Sequence, residues 1–176
     1  MSIDWNGYAP YELRFEGPRN ELSRSQAREE FEHIMAARVE RRDQLASLLE
    51  VNGVELSNTD AEIQELNDWL VDNIEESDHT PGVPESWWFA VTFDVAIFLG
   101  DVVIDRAPGL HWSLFTAGER DISYQRPVIV GFAKVKNPKY NLDFDRLLAT
   151  WAYQIVAGNR PPSTLAEVID HAVSCA

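Results

Sequence analysis

Positively charged side chains are scarce in this sequence of 176 residues. Its 15 Lys and Arg residues face 29 Asp and Glu residues, which gives a formal net charge of −14. Nucleic-acid binding needs clustered positive charge to neutralise phosphates, so no nucleic-acid partner is expected. The charge instead favours a basic partner. Only one cysteine is present, Cys175, so no disulfide can form within the chain.

Long hydrophobic runs are absent as well. The most apolar run, residues 87–99, has 13 residues and is interrupted by Asp94. A helix that crosses a bilayer needs about 20 apolar residues, so this run predicts a buried helix and no membrane partner. Residues 1–7 lack the basic and apolar regions of a cleaved signal peptide. The expected location is therefore the cytoplasm.

Motifs of the common enzyme classes are also missing. The sequence contains no HExxH, GxSxG, phosphate-binding loop or GxGxxG. Asp94, Asp101 and Asp105 share a face if their helix continues through Gly100, but a solvated helix end explains the last two better than a cation does. No metal and no cofactor is predicted. Catalytic groups can be distant in sequence, so an enzyme stays open, although no motif favours one.

Apolar residues at helical spacing predict five helices. Breaks at Gly and Pro and polar residues at the starts set the limits of each helix. The third helix begins at Ser86 and has an apolar surface on almost every side, with a possible extension to Arg106. The five predicted helices span 25–49, 59–74, 86–99, 145–156 and 164–173.

Alternation of apolar and polar residues predicts about three short strands. These are residues 11–16, 110–115 and 126–133, of which the last two form an antiparallel pair. The predicted fold class is α+β, with about five helices packed on a small antiparallel sheet of about three strands. We expect one domain over residues 1–176.

The negative charge is concentrated in the first half of the chain. Residues 1–80 hold 19 acidic and seven basic side chains, a net charge of −12, whereas residues 81–176 have a net charge of −2. Between Arg42 and Arg106 there are 15 acidic residues and no Lys or Arg. The first half is predicted to be an acidic helical part and the second a mixed part, with the loop 77–84 between them.

The second helix is predicted to carry an acidic face. Successive residues lie about 100° apart, which separates its carboxylates from its apolar side. Trp69 lies at the margin of the acidic face. Three interpretations stay open: a solvated face, pairing with distant arginines, or a surface that binds a basic partner with Trp69 as its aromatic contact. The carboxylates of this face are Glu65, Asp68, Asp72, Glu75 and Glu76.

The first helix places two arginines on its predicted apolar side. Arg38 and Arg42 project in the same direction as five apolar residues. Arginine stems can lie along apolar surface, so snorkelling is one explanation. The other is an ion pair with Asp94, because a carboxylate inside an apolar helix needs donors. The apolar residues of this side are Phe31, Ile34, Met35, Leu45 and Leu49.

One short stretch resembles a known group of proteins. Residues 96–104 (AIFLGDVVI) and 108–112 (PGLHW) are an apolar helix that ends in Leu-Gly-Asp, followed by a Gly-containing turn and a Trp-bearing strand. This pattern resembles uncharacterised small acidic bacterial proteins, some of them similar to immunity proteins. The resemblance covers about 17 residues, implies a bacterial binding protein and transfers no functional residue.

Three functions are therefore considered. The first is an acidic protein-binding module, such as an immunity-type inhibitor of a basic partner, that uses the second helix. The second is an enzyme or small-molecule binder with a pocket near Asp94, Arg106 and Trp112. The third is a self-associating structural protein, with the aromatic surface of the third helix at a homo-oligomer contact.

Overall fold

The described part of the chain folds as five helices and a two-stranded antiparallel sheet, which confirms the predicted α+β class. A computed structural model describes residues 3–176. The sheet has two strands, compared with the three expected. In chain order the elements are a 3₁₀ turn (Arg19–Glu21), α1 (Arg24–Val51), α2 (Asp60–Asn73), α3 (Ser86–Arg106), β1 (His111–Leu114), β2 (Pro127–Val130), α4 (Phe144–Val156) and α5 (Leu165–Cys175).

The central element is α3, which continues to Arg106 without a break. Twelve of its 21 residues are buried, as expected for a helix with apolar residues on every side. Helices α1, α4 and α5 pack against it. Among the described residues, α3 is also the one helix long and apolar enough to span a membrane, but 67% of its most apolar window is buried inside the protein. That burial is typical of a core helix.

Side-chain oxygens fix the starts of the helices. Thr59 accepts the Glu62 N–H at the start of α2, and Asp143 accepts the Arg146 N–H at the start of α4. Such caps satisfy amide groups that have no partner within the helix. Helix α3 begins at Ser86, and the carboxylate of the preceding residue, Glu85, accepts the Ser86 N–H.

The predicted strand at residues 11–16 is wrong. This segment runs alongside α1 without regular structure, because its polar groups bond to a helix side chain and not to a neighbouring strand. The Tyr11 hydroxyl and the Arg14 N–H both donate to the carboxylate of Glu30, at 3.1 and 2.9 Å. Glu30 is only 2% exposed, so these donors compensate for its burial.

The loop at residues 77–84 is closed by backbone hydrogen bonds. The Ser77 N–H donates to the Val83 carbonyl at 2.8 Å, and the Glu85 N–H donates to the Glu75 carbonyl at 2.9 Å. On either side of this loop, α2 and α3 contribute to the same hydrophobic core, together with α1, α4 and α5. This shared core fixes the orientation of α2 and therefore of its outer surface.

Candidate functional site

The outer surface of α2 and the short segment after its C-terminal end carry five carboxylates, which we name the acidic face. All five of its carboxylates are exposed. Within residues 3–176, no basic nitrogen lies within 4.0 Å of any of them. Three of the five lie on α2, but Glu75 and Glu76 follow its last residue, Asn73, so the expectation that all five share one helix face is wrong for these two. All five are left without ion pairs to the described chain. The acidic face consists of Glu65, Asp68, Asp72, Glu75 and Glu76.

The contacts made by the acidic face are neutral hydrogen bonds. Asp68 accepts from the side-chain amides of Gln64, at 2.8 Å, and Asn67, at 3.1 Å. Glu76 accepts the Gly82 N–H. Like charges three or four residues apart on a helix destabilise it by about 0.2–0.5 kcal/mol per pair. The acidic face thus lowers the stability of α2 and keeps its negative charge available.

Trp69 does not belong to the acidic face, which corrects the expectation that it contacts a partner. Its side chain is buried, with 8% exposed, and meets Trp88 of α3 edge-on with 5.4 Å between the ring centroids. The ring sits at the margin of the helix, where α3 covers it. Any partner of the acidic face must therefore find its apolar contacts elsewhere.

An open cleft borders the acidic face. It has a volume of about 410 Å³ and lies between α2 and the segment that leads into α5. Asp68 and Asp72 line one side, and residues 160–164 line the other. Asn67 connects the two sides, because its Oδ1 accepts the Leu165 N–H of α5 at 3.1 Å. The acidic face thus has a concave part that can receive a side chain.

Asp94 forms the predicted buried ion pair, but with a different arginine. Arg41 Nε donates to Asp94 Oδ1 at 2.8 Å, and Arg41 Nη2 donates to Oδ2 at 2.5 Å. The Tyr8 hydroxyl also donates to Oδ2. Asp94 is fully buried and the Arg41 side chain is 6% exposed. The expectation that Arg38 or Arg42 pairs with Asp94 is therefore wrong.

The error comes from the rotation of α1 about its axis. At 100° per residue, Arg41 is only about 20° from the buried Ile34, whereas Arg38 and Arg42 are about 40° and 80° away. The buried side of α1 includes Ile34, Arg41 and Leu45. The predicted apolar side, which included the partly exposed Phe31, was rotated away from this direction.

The electrostatics of this buried cluster indicate a structural role. Burial raises the pKa of Asp94, and the hydrogen bonds from Arg41 and Tyr8 oppose that rise. Burial and the nearby carboxylate of Asp94 raise the pKa of Tyr8. Burial alone would lower the pKa of Arg41, but its bonds to Asp94 raise it. These groups satisfy one another in the core, and none of them faces a cleft where a substrate could bind.

Arg38 and Arg42, which were expected to pair with Asp94, form ion pairs with Asp101 instead. Arg38 Nη1 lies 2.6 Å from Asp101 Oδ1, and Arg42 Nη1 lies 3.4 Å from Oδ2. The indole N–H of Trp112 donates to Oδ1 at 3.0 Å. This ring covers Gly100, where a Cβ atom would overlap it. Asp101 is therefore the centre of a second arginine–carboxylate cluster.

The pocket expected near Asp94, Arg106 and Trp112 is not formed by these residues. Asp94 is inside the core, Trp112 bonds to Asp101, and Arg106 Nη1 bonds to Asp60 at 2.7 Å. The three residues therefore belong to three separate clusters. Over residues 3–176, no group of three or more His, Cys, Asp or Glu side chains could hold a metal ion.

Sequence reasoning missed a third arginine–carboxylate cluster. Arg126, which follows the loop before β2, donates to Asp143 at 2.7 Å and to Asp145 at 2.6 Å. Burial raises the pKa of Asp145, while the charge of Arg126 lowers it. The available signal was the pair of aspartates at the start of α4, where Asp143 is the cap and Asp145 lies in the first turn.

The predicted aromatic surface of α3 is small. Trp87 is 40% exposed, and its ring lies 5.3 Å from that of Trp5. Of the two predicted surfaces, the acidic face is therefore the one with several exposed side chains of one charge. Comparison with protein-family models, with curated proteins and with solved structures gives no match to this chain.

Proposed function

We propose that this protein is an acidic protein-binding module that uses the acidic face of α2 to bind a basic partner. One observation carries the proposal: the acidic face has no ion pair within the described chain, whereas seven arginines elsewhere are paired with carboxylates. Arg160 lines the cleft beside Asp68 and Asp72 but forms no ion pair with them, so the acidic face keeps its charge unpaired.

A basic partner would relieve the repulsion that the acidic face imposes on α2. Its positive charges would lie near Asp68 and Asp72, where like charges now face each other. Charge of this kind accelerates association and makes it sensitive to salt. The acidic face therefore favours a partner that is captured rapidly and released as the ionic strength rises.

The cleft beside α2 gives the acidic face a concave region in which a partner side chain can be enclosed. A lysine or arginine side chain of the partner can enter it beside Asp68 and Asp72. The resemblance of residues 96–112 to immunity-like proteins supports one form of this function: a cytoplasmic bacterial inhibitor that covers the basic surface of its target.

The test removes the charge of the acidic face and keeps its shape. The variant Glu65→Gln, Asp68→Asn, Asp72→Asn loses three negative charges from α2. A control variant, Glu32→Gln, Glu40→Gln, Glu50→Gln, loses the same charge from exposed positions of α1. Each protein is used to capture binders from a bacterial lysate, with quantitative mass spectrometry, and to titrate a labelled lysine- and arginine-rich peptide.

We expect the wild-type protein to capture proteins of high isoelectric point. The control variant should still capture them, and the α2 variant should not. For the peptide, we expect affinity to fall about tenfold or more in the α2 variant and less than about twofold in the control. Equal losses in both variants would show that only net charge matters. That outcome would contradict a specific surface on α2.

A further inference from the structure

Within residues 3–176, Arg19 is half-buried and has no carboxylate within 4.0 Å of its guanidinium, although Asp145 and Glu30 attract it from farther away. Seven of the twelve arginines form ion pairs, and four of the remaining five are exposed. The guanidinium of Arg19 makes no hydrogen bond to any side chain or carbonyl within residues 3–176. A guanidinium withdrawn from water without a partner costs free energy, so its position needs a physical reason. The four exposed arginines are Arg28, Arg120, Arg146 and Arg160.

Arg19 lines a cleft whose other walls are mostly apolar. The cleft has a volume of about 230 Å³ and lies between the N-terminal segment and the first half of α3. Its guanidinium carbon is 6.0 Å from the centre of the Phe93 ring. This volume is below that of the pockets that hold drug-sized ligands, and it suits a compound with one ring. The apolar walls come from Tyr11, Leu13, Phe89 and Phe93.

One carboxylate, that of Asp145, also lines the cleft. Its side chain is 25% exposed and is bonded to Arg126, which also holds Asp143. Two carboxylates thus share one guanidinium, which leaves one negative charge to be balanced. Arg19 supplies the balancing charge, but it lies beyond ion-pair distance of Asp145. The cleft is therefore lined by one positive and one negative side chain that are not joined in an ion pair.

The chemistry of these walls specifies a ligand. A carboxylate would satisfy Arg19 through charge-assisted hydrogen bonds. An anion alone would leave the cleft with an excess negative charge, whereas a compound that also carries an ammonium group near Asp145 keeps it neutral. An aromatic ring of the ligand would pack against Phe89 and Phe93, since such rings prefer offset or edge contacts.

We propose that this cleft binds an aromatic amino acid as a zwitterion. Its carboxylate contacts Arg19, its ammonium group faces Asp145, and its ring lies against Phe89 and Phe93. The site is separate from the acidic face of α2, so it does not depend on the protein-binding function proposed above. Its failure and the failure of that function would be seen in different experiments.

A ligand series on the wild-type protein tests the proposal directly. ¹⁵N-labelled protein is titrated with L-phenylalanine, with phenylacetate, which lacks the ammonium group, and with phenethylamine, which lacks the carboxylate. We expect phenylalanine to shift amide signals of Leu13, Phe89 and Phe93. The two truncated compounds should bind at least about tenfold more weakly, because each leaves one end of the cleft unmatched.

Variants assign the binding to Arg19. Arg19→Gln should weaken phenylalanine binding about tenfold or more, whereas Arg28→Gln, which removes an exposed arginine, should change it less than about twofold. Leu13→Glu is a second variant at a position 51% exposed. It places a negative charge beside Arg19, competes with the ligand carboxylate and should also abolish binding.

Three results would overturn the proposal. The first is the absence of shifts with phenylalanine up to about 10 mM, a concentration that detects even weak binding. The second is a set of shifts that map away from the cleft. The third is equal affinity for phenylacetate, which would remove the role of Asp145. The wild-type series decides between these results even if Arg19→Gln does not fold.

Discussion

Carboxylates at the interface between α1 and α3 are paired with arginines, whereas the carboxylates of the acidic face are unpaired. At the interface, Asp94 is bonded to Arg41, and Asp101 to Arg38 and Arg42. On the acidic face, five carboxylates have no basic partner in the described chain. The contrast follows the cost of burial: a buried carboxylate without a donor is expensive, whereas an exposed one keeps its water.

The paired carboxylates stabilise the fold, whereas the unpaired carboxylates are available to a partner. Three of the five arginines of α1 are paired with aspartates of α3, so these three do not neutralise α2. A region without Lys or Arg from residue 43 to residue 105 therefore contains both kinds of carboxylate. Only position in the fold tells them apart, and substitutions at each should have different consequences.

The largest effect is expected at the buried ion pair. Asp94→Ala leaves Arg41 and the Tyr8 hydroxyl without their acceptor inside the core. Removing one partner of such a pair costs about 3–5 kcal/mol. For a chain of this length we expect the unfolding temperature to fall by roughly 6–20 °C. Circular dichroism during thermal unfolding measures this change.

The control for this substitution removes both charges. The double variant Arg41→Met, Asp94→Leu leaves no unpaired ion, so it should recover much of the lost stability. Asp170→Ala, at an exposed position of α5, should change stability by less than about 0.5 kcal/mol. If Asp94→Ala is as stable as the wild type, the carboxylates of the α1–α3 interface stabilise the fold no more than those of the acidic face.

A smaller effect is expected at Gly100, beside the Asp101 cluster. A methyl group there overlaps the Trp112 ring, so Gly100→Ala must displace the indole and its hydrogen bond to Asp101. Overpacking of this kind costs about 1–3 kcal/mol. Tryptophan fluorescence should shift as the ring moves, and chemical denaturation gives the stability. The exposed Gly109, whose Cβ would meet no atom, is the matched control.

The smallest stability effect is expected on the acidic face, and it has the opposite sign. Glu65→Gln, Asp68→Asn, Asp72→Asn removes repulsion between like charges, which should stabilise the protein by about 0.2–0.5 kcal/mol per pair. The gain should shrink in about 1 M salt, where charges are screened within about 3 Å. A loss of stability in thermal unfolding would show that these carboxylates have structural partners.

The burial of Asp94 was predictable, but its partner was not. An aspartate in the apolar segment 87–99 must be enclosed and must find a donor. The choice among Arg38, Arg41 and Arg42 depends on the rotation of α1, and a change of one residue there turns the predicted face by about 100°. The buried polar residues of α1 make this rotation hard to fix from sequence, since they interrupt its apolar side.

Two other errors have long-range causes. Trp69 looked like a marginal surface residue on α2, but Trp88 of α3 covers it. Residues 11–16 alternate like a strand, but Glu30 of α1 binds their polar groups. Local pattern predicts the helices and the three carboxylates on α2 well because these depend on spacing along one element, whereas it extended that helix over Glu75 and Glu76. It does not predict which distant residue covers a given side chain.

The N-terminal segment makes its decisive contacts far along the chain, which has a consequence for synthesis on the ribosome. The Tyr8 hydroxyl bonds to Asp94, 86 residues later, and the Gln125 side-chain amide bonds to the Arg19 carbonyl, 106 residues away. Contacts of such separation form slowly because a long loop must close first. Tyr8 and Arg19 are therefore synthesised long before the residues that they contact, and they are among the last to find their places in the fold.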